Sequence, residues 1–189
     1  VRTVAPSADV VTVAELKAQT RVDWTDDDAI LQSILNAAIS HVDGYSGVIG
    51  RALVSQTWAV KAEDFSEVMR LPLGDVIAVT SIQYYDTNGA SQTASDTLYG
   101  VYTDALGSFI ELKANQQWPS VDDRRDAVTI TWTCGYGAAA TDVPAAIKHA
   151  IMLLAAHWYE NREASTDGGF EELPLGVKSL LLPFRQVGT

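Results

Sequence analysis

The chain has 189 residues, enough for one generous domain or for a domain carrying a substantial insertion. Hydrophobic residues at 47% and charged residues at 20% are ordinary for a globular fold and exclude general disorder. A formal net charge of −11 repels nucleic acid and anionic membrane, which excludes either as a partner held tightly through the bulk surface.

A single cysteine, Cys134, rules out an intrachain disulfide; its apolar, alternating surroundings mark it as a small buried hydrophobe. The opening VRTVAPSADV lacks a basic region followed by an apolar run, so no signal peptide is expected. The start at Val1 is compatible with trimming, and a soluble intracellular product is the expectation.

Residues 1–11 show no strong period and read as an extended arm. Thr12-Val-Ala-Glu15 is a capping-box pattern that opens a short helix to about Gln19. Thr25-Asp-Asp-Asp28 repeats the device, with Asp26, Asp27 and Asp28 placed where the helix dipole favours negative charge. The triplet reads as a helix start rather than a cation site. An EF-hand needs further oxygen ligands and a loop glycine, whereas a helix follows at once. That helix runs to about Val42, with Leu31, Ile34, Leu35, Ala38 and Val42 on one face, and stops at Asp43-Gly-Tyr-Ser-Gly47.

From about Leu53 the period changes to two. Trp58 and Val60 alternate with Thr57 and Lys61, residues 76–85 are rich in β-branched and aromatic side chains, and Asn88-Gly89 signals a tight hairpin. Residues 98–102 and 108–113 continue the meander. The clearest strand is 127–134, with Val128, Ile130, Trp132 and Cys134 facing one way and Thr129, Thr131 and Thr133 the other. Gly135-Tyr-Gly137 then frees the backbone to turn.

The stretch DVPAAIKHAIMLLAAHWYENR, 142–162, predicts a central packing helix. Asp142 suits an N-cap and Pro144 the first turn. Ile147, Ile151, Leu154 and Trp158 recur at spacings of four, three and four, and Ala150, Leu153 and Ala155 widen the apolar stripe. About nineteen residues give a rod of roughly 28 Å. Lys148, His149 and His157 interrupt the run, so it is no membrane span. A polar glycine-containing loop follows at 163–169. The apolar end is a short helix with Val177, Leu180 and Leu181 on one side, stopped by Pro183. Such a segment either folds back on its own core or docks on a neighbour.

These elements predict an α+β fold in one domain, 1–189. A helical core, made of an N-terminal helix pair (12–47) and a long C-terminal helix (142–163), carries a small antiparallel sheet region of five or six strands inserted at 53–137, and 173–189 is a terminal docking segment.

No catalytic, cofactor or metal site emerges. His149 and His157 lie about 12 Å apart along one helix, too far to share a metal. His157, Glu160 and Glu163 only faintly resemble di-iron helices, which use Glu-x-x-His and need ligands from other helices. Ser46 lacks the full nucleophile elbow, and no Lys-Ser/Thr follows Gly135-Tyr-Gly137 as a phosphate loop requires. Asp122-Asp-Arg-Arg-Asp126 reads as a solvated loop. A helical metalloenzyme and a small-molecule β cup are the readings from other classes, and no convergent constellation favours either. A non-enzyme is the expectation.

In combination, AVTITWTCGYG with VPAAIKHAIMLLAAHWYENRE (127–163), LPLGVKSLLLPFR (173–185), VTVAELKAQTRVD with DDAILQSILNAAISHVDGYSG near the start, and LPLGDVIAVTSIQYYDTNG in the middle resemble the head–tail connector (adaptor) proteins of long-tailed bacteriophages, prophages and gene transfer agents. The resemblance implies a structural virion protein at the head–tail interface, made in the bacterial cytoplasm. It implies a ring of identical subunits, typically twelve, that joins the portal protein to a stopper or tail-tube-side protein. DNA would pass only as transient cargo through the channel, with no membrane partner. Leu180, Leu181, Leu182, Phe184 and Arg185 would dock on the portal, and Trp158, Glu160, Arg162 and Glu163 would lie at the ring interface. Such a ring is heterologous, closed by rotation, and would form on the portal template, leaving the free chain monomeric. The net negative charge suits a channel in which DNA must slide. A stopper or another tail-completion or vertex protein is the alternative.

Overall fold

Two apolar clusters made from different elements organise the chain, in a computed structural model that describes residues 1–161 and 175–186. In chain order the elements are β1 (Arg2–Val4), α1 (Val13–Thr20), α2 (Asp28–Val42), β2 (Gln56–Ala62), β3 (Val68–Leu71), β4 (Val76–Tyr85), β5 (Ser91–Thr93), β6 (Tyr99–Asp104), β7 (Gly107–Leu112), β8 (Val128–Cys134), α3 (Ala145–Glu160) and α4 (Leu175–Leu181). Short 3-10 turns at Ala140–Asp142 and Leu182–Phe184 flank the last two helices.

The first cluster is helical. Leu16 of α1, Leu31, Leu35, Ala38 and Val42 of α2, Ile147, Ile151 and Leu154 of α3, and Val177 and Leu181 of α4 are all buried in it. The α1 start is the capping box read from sequence: the Thr12 hydroxyl accepts from the Glu15 N–H at 3.2 Å, and a Glu15 carboxylate oxygen accepts from the Thr12 N–H at 2.8 Å. The other two helix starts differ from expectation. Asp27, at the N-cap of α2, makes no side-chain cap. The carboxylates there serve tertiary contacts instead, Asp28 taking Lys17 at 2.6 Å and Asp27 the Tyr159 hydroxyl. Asp142 accepts from the Ala139 N–H and closes the 3-10 turn, so Pro144 is the N-cap of α3.

The second cluster lies in the strands. A five-stranded antiparallel sheet has the order β1-β2-β8-β4-β5, and a three-stranded one has the order β3-β7-β6. In the larger sheet β8 runs between β2 and β4, with Ile130 opposite both Val60 and Ile82. Its alternate residues Val128, Ile130, Trp132 and Cys134 are buried, as the period of two requires. They share a core with Met69 and Leu71 of β3 and Ile110 of β7, so the small sheet closes over the large one. The β4–β5 hairpin turns at Gly89 with φ 75°. At the end of β8, Gly135 has φ 131°, and a Cβ there would meet the Val54 carbonyl carbon at 2.7 Å, so only glycine lets the strand pass this close.

The expected helical core with a small inserted sheet is therefore corrected. The fold is mixed α+β but sheet-rich, with eight strands in two antiparallel sheets beside four short helices among the described residues. No long C-terminal helix dominates: α3 has 16 residues and α2 has 15. Two physical reasons account for this. The short strands β3, β6 and β7 carry an apolar face that closes a second core against β4 and β8. And α3 stops at Glu160 because the Asn161 side-chain amide donates to the His157 carbonyl at 2.9 Å and caps the helix end.

Leu154 is fully buried where α3 meets the helical cluster. Leu154→Ala is expected to cost about 2–5 kcal/mol from lost burial and the cavity left behind, read as a lower denaturant midpoint with an unchanged slope.

Candidate docking surfaces

The segment 175–186 folds back on the helical core. Within α4, Val177 and Leu181 are buried. Leu180 and Phe184 are half-buried against the same cluster, whereas Leu182 is 65% exposed, and Leu175 and Arg185 also face outward. Three hydrogen bonds pin the segment. The Arg51 Nε donates to the Phe184 carbonyl at 2.8 Å, the Gln186 N–H to the Ile49 carbonyl at 2.9 Å, and the Gln186 side-chain amide to the Leu106 carbonyl at 3.4 Å. Residues 184–186 thus bridge the loop after α2 and the β6–β7 turn. A cavity of about 210 Å³ opens beside them, with Arg51, Asp75, Asp104 and Arg185 among its walls. The five residues read from sequence as one docking set divide: Leu181 is core, Leu180 and Phe184 are anchors, and Leu182 and Arg185 are presented.

Of the residues expected at a ring interface, Trp158 is half-buried and meets His41 edge to face at 6.0 Å. Glu160 is exposed at the last position of α3. Arg162 and Glu163 lie outside the described residues. Among the described residues no three His, Cys, Asp or Glu side chains converge as a metal site. The Cys134 thiol is pushed up to about 12, chiefly by burial, which leaves it a packing group rather than a nucleophile. Among the described residues no helix is long and apolar enough to cross a membrane.

The family described as head completion protein matches residues 9–173. The chain belongs to the head completion protein family. It is thus a structural virion protein of the head–tail junction. The chain is similar to one in a structure titled as the virion of a native gene transfer agent particle, with 26% identity, a TM-score of 0.77, and coverage of 100% of this chain and 96% of that one. A chain in the neck of an empty particle computed with C6 symmetry gives 26% and 0.75 over the same shares. A chain in the neck of a native particle computed with C12 symmetry gives 26% and 0.70, covering 99% and 97%. Comparison with curated proteins gives no significant match.

In this head completion protein the most demanding electrostatic site is one that the sequence disguised as a helix stop. Asp43 is 9% exposed, the single buried charged residue among those described. One carboxylate oxygen accepts from the Leu53 N–H at 2.8 Å and the Gln56 amide at 2.9 Å; the other lies 3.1 Å from that amide and 3.6 Å from the Arg2 guanidinium. Burial pushes its pKa above the ordinary carboxylate range, opposed by these hydrogen bonds and by Arg2. No local pattern could have marked it, because its partners lie 10 and 13 residues on and at the far N-terminus. Beside it a cavity of about 540 Å³ has Tyr45 and Trp58 in its wall.

In the smaller sheet, Arg70 of β3 grips Asp104 of β6 through two parallel hydrogen bonds, 2.9 and 2.7 Å. The Arg70 bonds, helped by the Leu106 N–H, hold the Asp104 carboxyl down to about 2.

Two outcomes are expected. Asp43→Ala leaves the Leu53 N–H and the Gln56 amide buried without an acceptor and costs about 2–4 kcal/mol in denaturant unfolding. For Asp104 the folded pKa is depressed, so its stabilisation is complete above the ordinary value of 3.8 and is lost as pH falls through about 2. The stability gap between the wild type and Asp104→Asn should be constant near neutrality, shrink across that window, and vanish below it.

Proposed function

We propose that the chain is the connector subunit of a phage-type neck. Identical copies form a closed ring, joined head to tail, that seats on the portal protein at the capsid vertex and hands over to a stopper or tail-tube-side protein, leaving a channel for DNA. The observation that carries this reading is similarity along essentially the whole chain to chains in particle necks computed with C6 and with C12 symmetry, and a ring of twelve copies is compatible with both. A net charge of −11 supports a channel role, because DNA slides past a surface that does not bind it.

In this reading the C-terminal segment meets the portal. Leu182 and Arg185 are the contacting side chains of the set, while Leu180, Leu181 and Phe184 hold the segment in place. Glu160, with Arg162 and Glu163, lies toward the neighbouring subunit, and Trp158 positions the end of α3. The chain works as a binding element without catalysis or cofactor.

Capture of purified portal protein by the wild type, compared with a Leu182→Asp, Arg185→Glu variant, tests the reading. This pair spares the buried Leu181, which deletion of 180–189 would remove. The expected result is portal capture by the wild type and a loss of more than about tenfold by the variant, with unchanged melting. Equal capture by both would move the contact away from the C-terminal segment. Capture of a tail-side protein in place of portal by the wild type would favour a stopper.

A further inference from the structure

We propose that the exposed face of α2 is the surface on which the neighbouring copy of this chain sits. The inference rests on the connector reading and adds to it a specific contact.

The geometry of α2 leaves one side free. Its inner side, Leu31, Leu35, Ala38 and Val42, is consumed by the helical cluster. From within, the two aromatics that end α3 straddle the helix, Trp158 reaching His41 near one end and the Tyr159 hydroxyl reaching Asp27 at the other. The outward residues Ile30, Gln32, Ser33, Asn36, Ala37 and Ser40 are all exposed. Nothing from residue 29 to residue 40 is charged, a length of about 18 Å along the axis. The Gln32 amide donates to the Asn36 side chain at 2.9 Å, so part of the polarity of this face is satisfied within it.

Large apolar side chains bracket the face. Trp24 is 50% exposed and Ile30 42% exposed at its N-terminal end, and Tyr45 is 72% exposed beyond its C-terminal end. There the face runs into the cavity of about 540 Å³, whose wall includes Asn36, Ser40, Tyr45 and Trp58 together with the charged Arg2, Asp9 and Asp43, so the charge-free part of the surface is the helix stretch 29–40 itself. Depletion of charge together with exposed aromatics and an adjoining concavity is the composition of an interface centre rather than of a solvated helix.

The charge balance selects the occupant. Two copies that each carry −11 repel wherever their carboxylates come together, and like charges placed opposite one another cost several kcal/mol. A closed ring of such copies needs a face that sets no carboxylate against those of its neighbour, and the uncharged stretch 29–40 supplies it. DNA would need cations, which the face lacks. A partner of opposite charge would find no attraction here and would be drawn to the acidic remainder of the surface. Being heterologous, the contact sets this face against a different surface of the next copy.

The test is a photo-cross-linking side chain at Ser33, carried by the full chain into assembled particles, with the products identified by mass spectrometry. The expected product is a dimer of this chain. A product with portal or tail protein instead, or incorporation without any product, overturns the assignment. In parallel, Ala37→Glu is expected to lower the amount of chain in particles more than about tenfold while its melting temperature stays with the wild type; Ala37→Ser should assemble normally. Normal incorporation of Ala37→Glu overturns the inference while leaving the connector reading in place. Absence of the wild-type chain from particles would overturn that reading, and this inference with it.

Discussion

The fold turns on a buried carboxylate. Asp43 sits at the C-terminal end of α2, where the helix dipole already disfavours negative charge, and it is taken almost wholly out of water. Such a group is tolerable only when its lone pairs are occupied, and here they are filled from three directions. The Leu53 N–H comes from the segment leading into the sheet, the Gln56 amide from the first residue of β2, and Arg2 from the edge strand β1. Gln56 extends the network, its side-chain amide oxygen accepting from the Trp58 indole at 3.2 Å and from Arg2 at 3.4 Å. A buried charge of this kind adds little net stability but strongly penalises any other arrangement of its neighbours. It therefore sets how the helical cluster meets the sheet.

From that joint the path of the chain follows. β2 enters the sheet beside β8, although the two are separated by more than sixty residues of intervening strands and turns. Only when β8 has been placed between β2 and β4 does the backbone reach Gly135, pass against Val54, and deliver α3 to the helices made at the start. The helical cluster thus closes last in sequence, over a sheet that has its own core. The two clusters are physically separate bodies of buried apolar area, joined by polar contacts at Asp43 and by the pinned residues 184–186.

What the sequence revealed and what it hid divide along the range of the interactions. The strand at 76–85, the alternation of β8, the hairpin at Gly89 and the capping box at Thr12 were legible because each is decided by residues within a few positions. The second sheet was legible only in part: 98–102 and 108–113 read as strands, but β3 and the separation into a sheet of its own did not. Its strands have four to six residues, and their pairing, Val68–Leu71 on Gly107–Leu112, is set by the apolar core they close rather than by any local pattern. The acidic residues at the start of α2 have the composition of a cap but engage Lys17 and Tyr159, partners that only folding brings near. The C-terminal segment shows the same limit. A run of apolar residues reads alike whether it fills its own core or a neighbour's, and only the burial of Leu181 beside the exposure of Leu182 separates the two uses.

That separation bears on how the proposed connector would work. If the whole segment had to leave its core in order to bind, each docking event would expose Val177 and Leu181 to water. The penalty would be about 1.5–3 kcal/mol for each side chain, subtracted from the free energy of docking. With Leu181 buried and the backbone pinned by Arg51 and Gln186, Leu182 and Arg185 are offered on an ordered support, and little conformational entropy remains to be lost on binding. The same reasoning applies around the ring. In the proposed ring, a neutral helix face on one copy would let the next approach without setting carboxylate against carboxylate, while the charge remaining on the other surfaces would keep DNA from adhering to them. In the proposed ring, charge would thus act through its placement, absent from the α2 face that meets the next copy and kept on the surfaces that DNA passes.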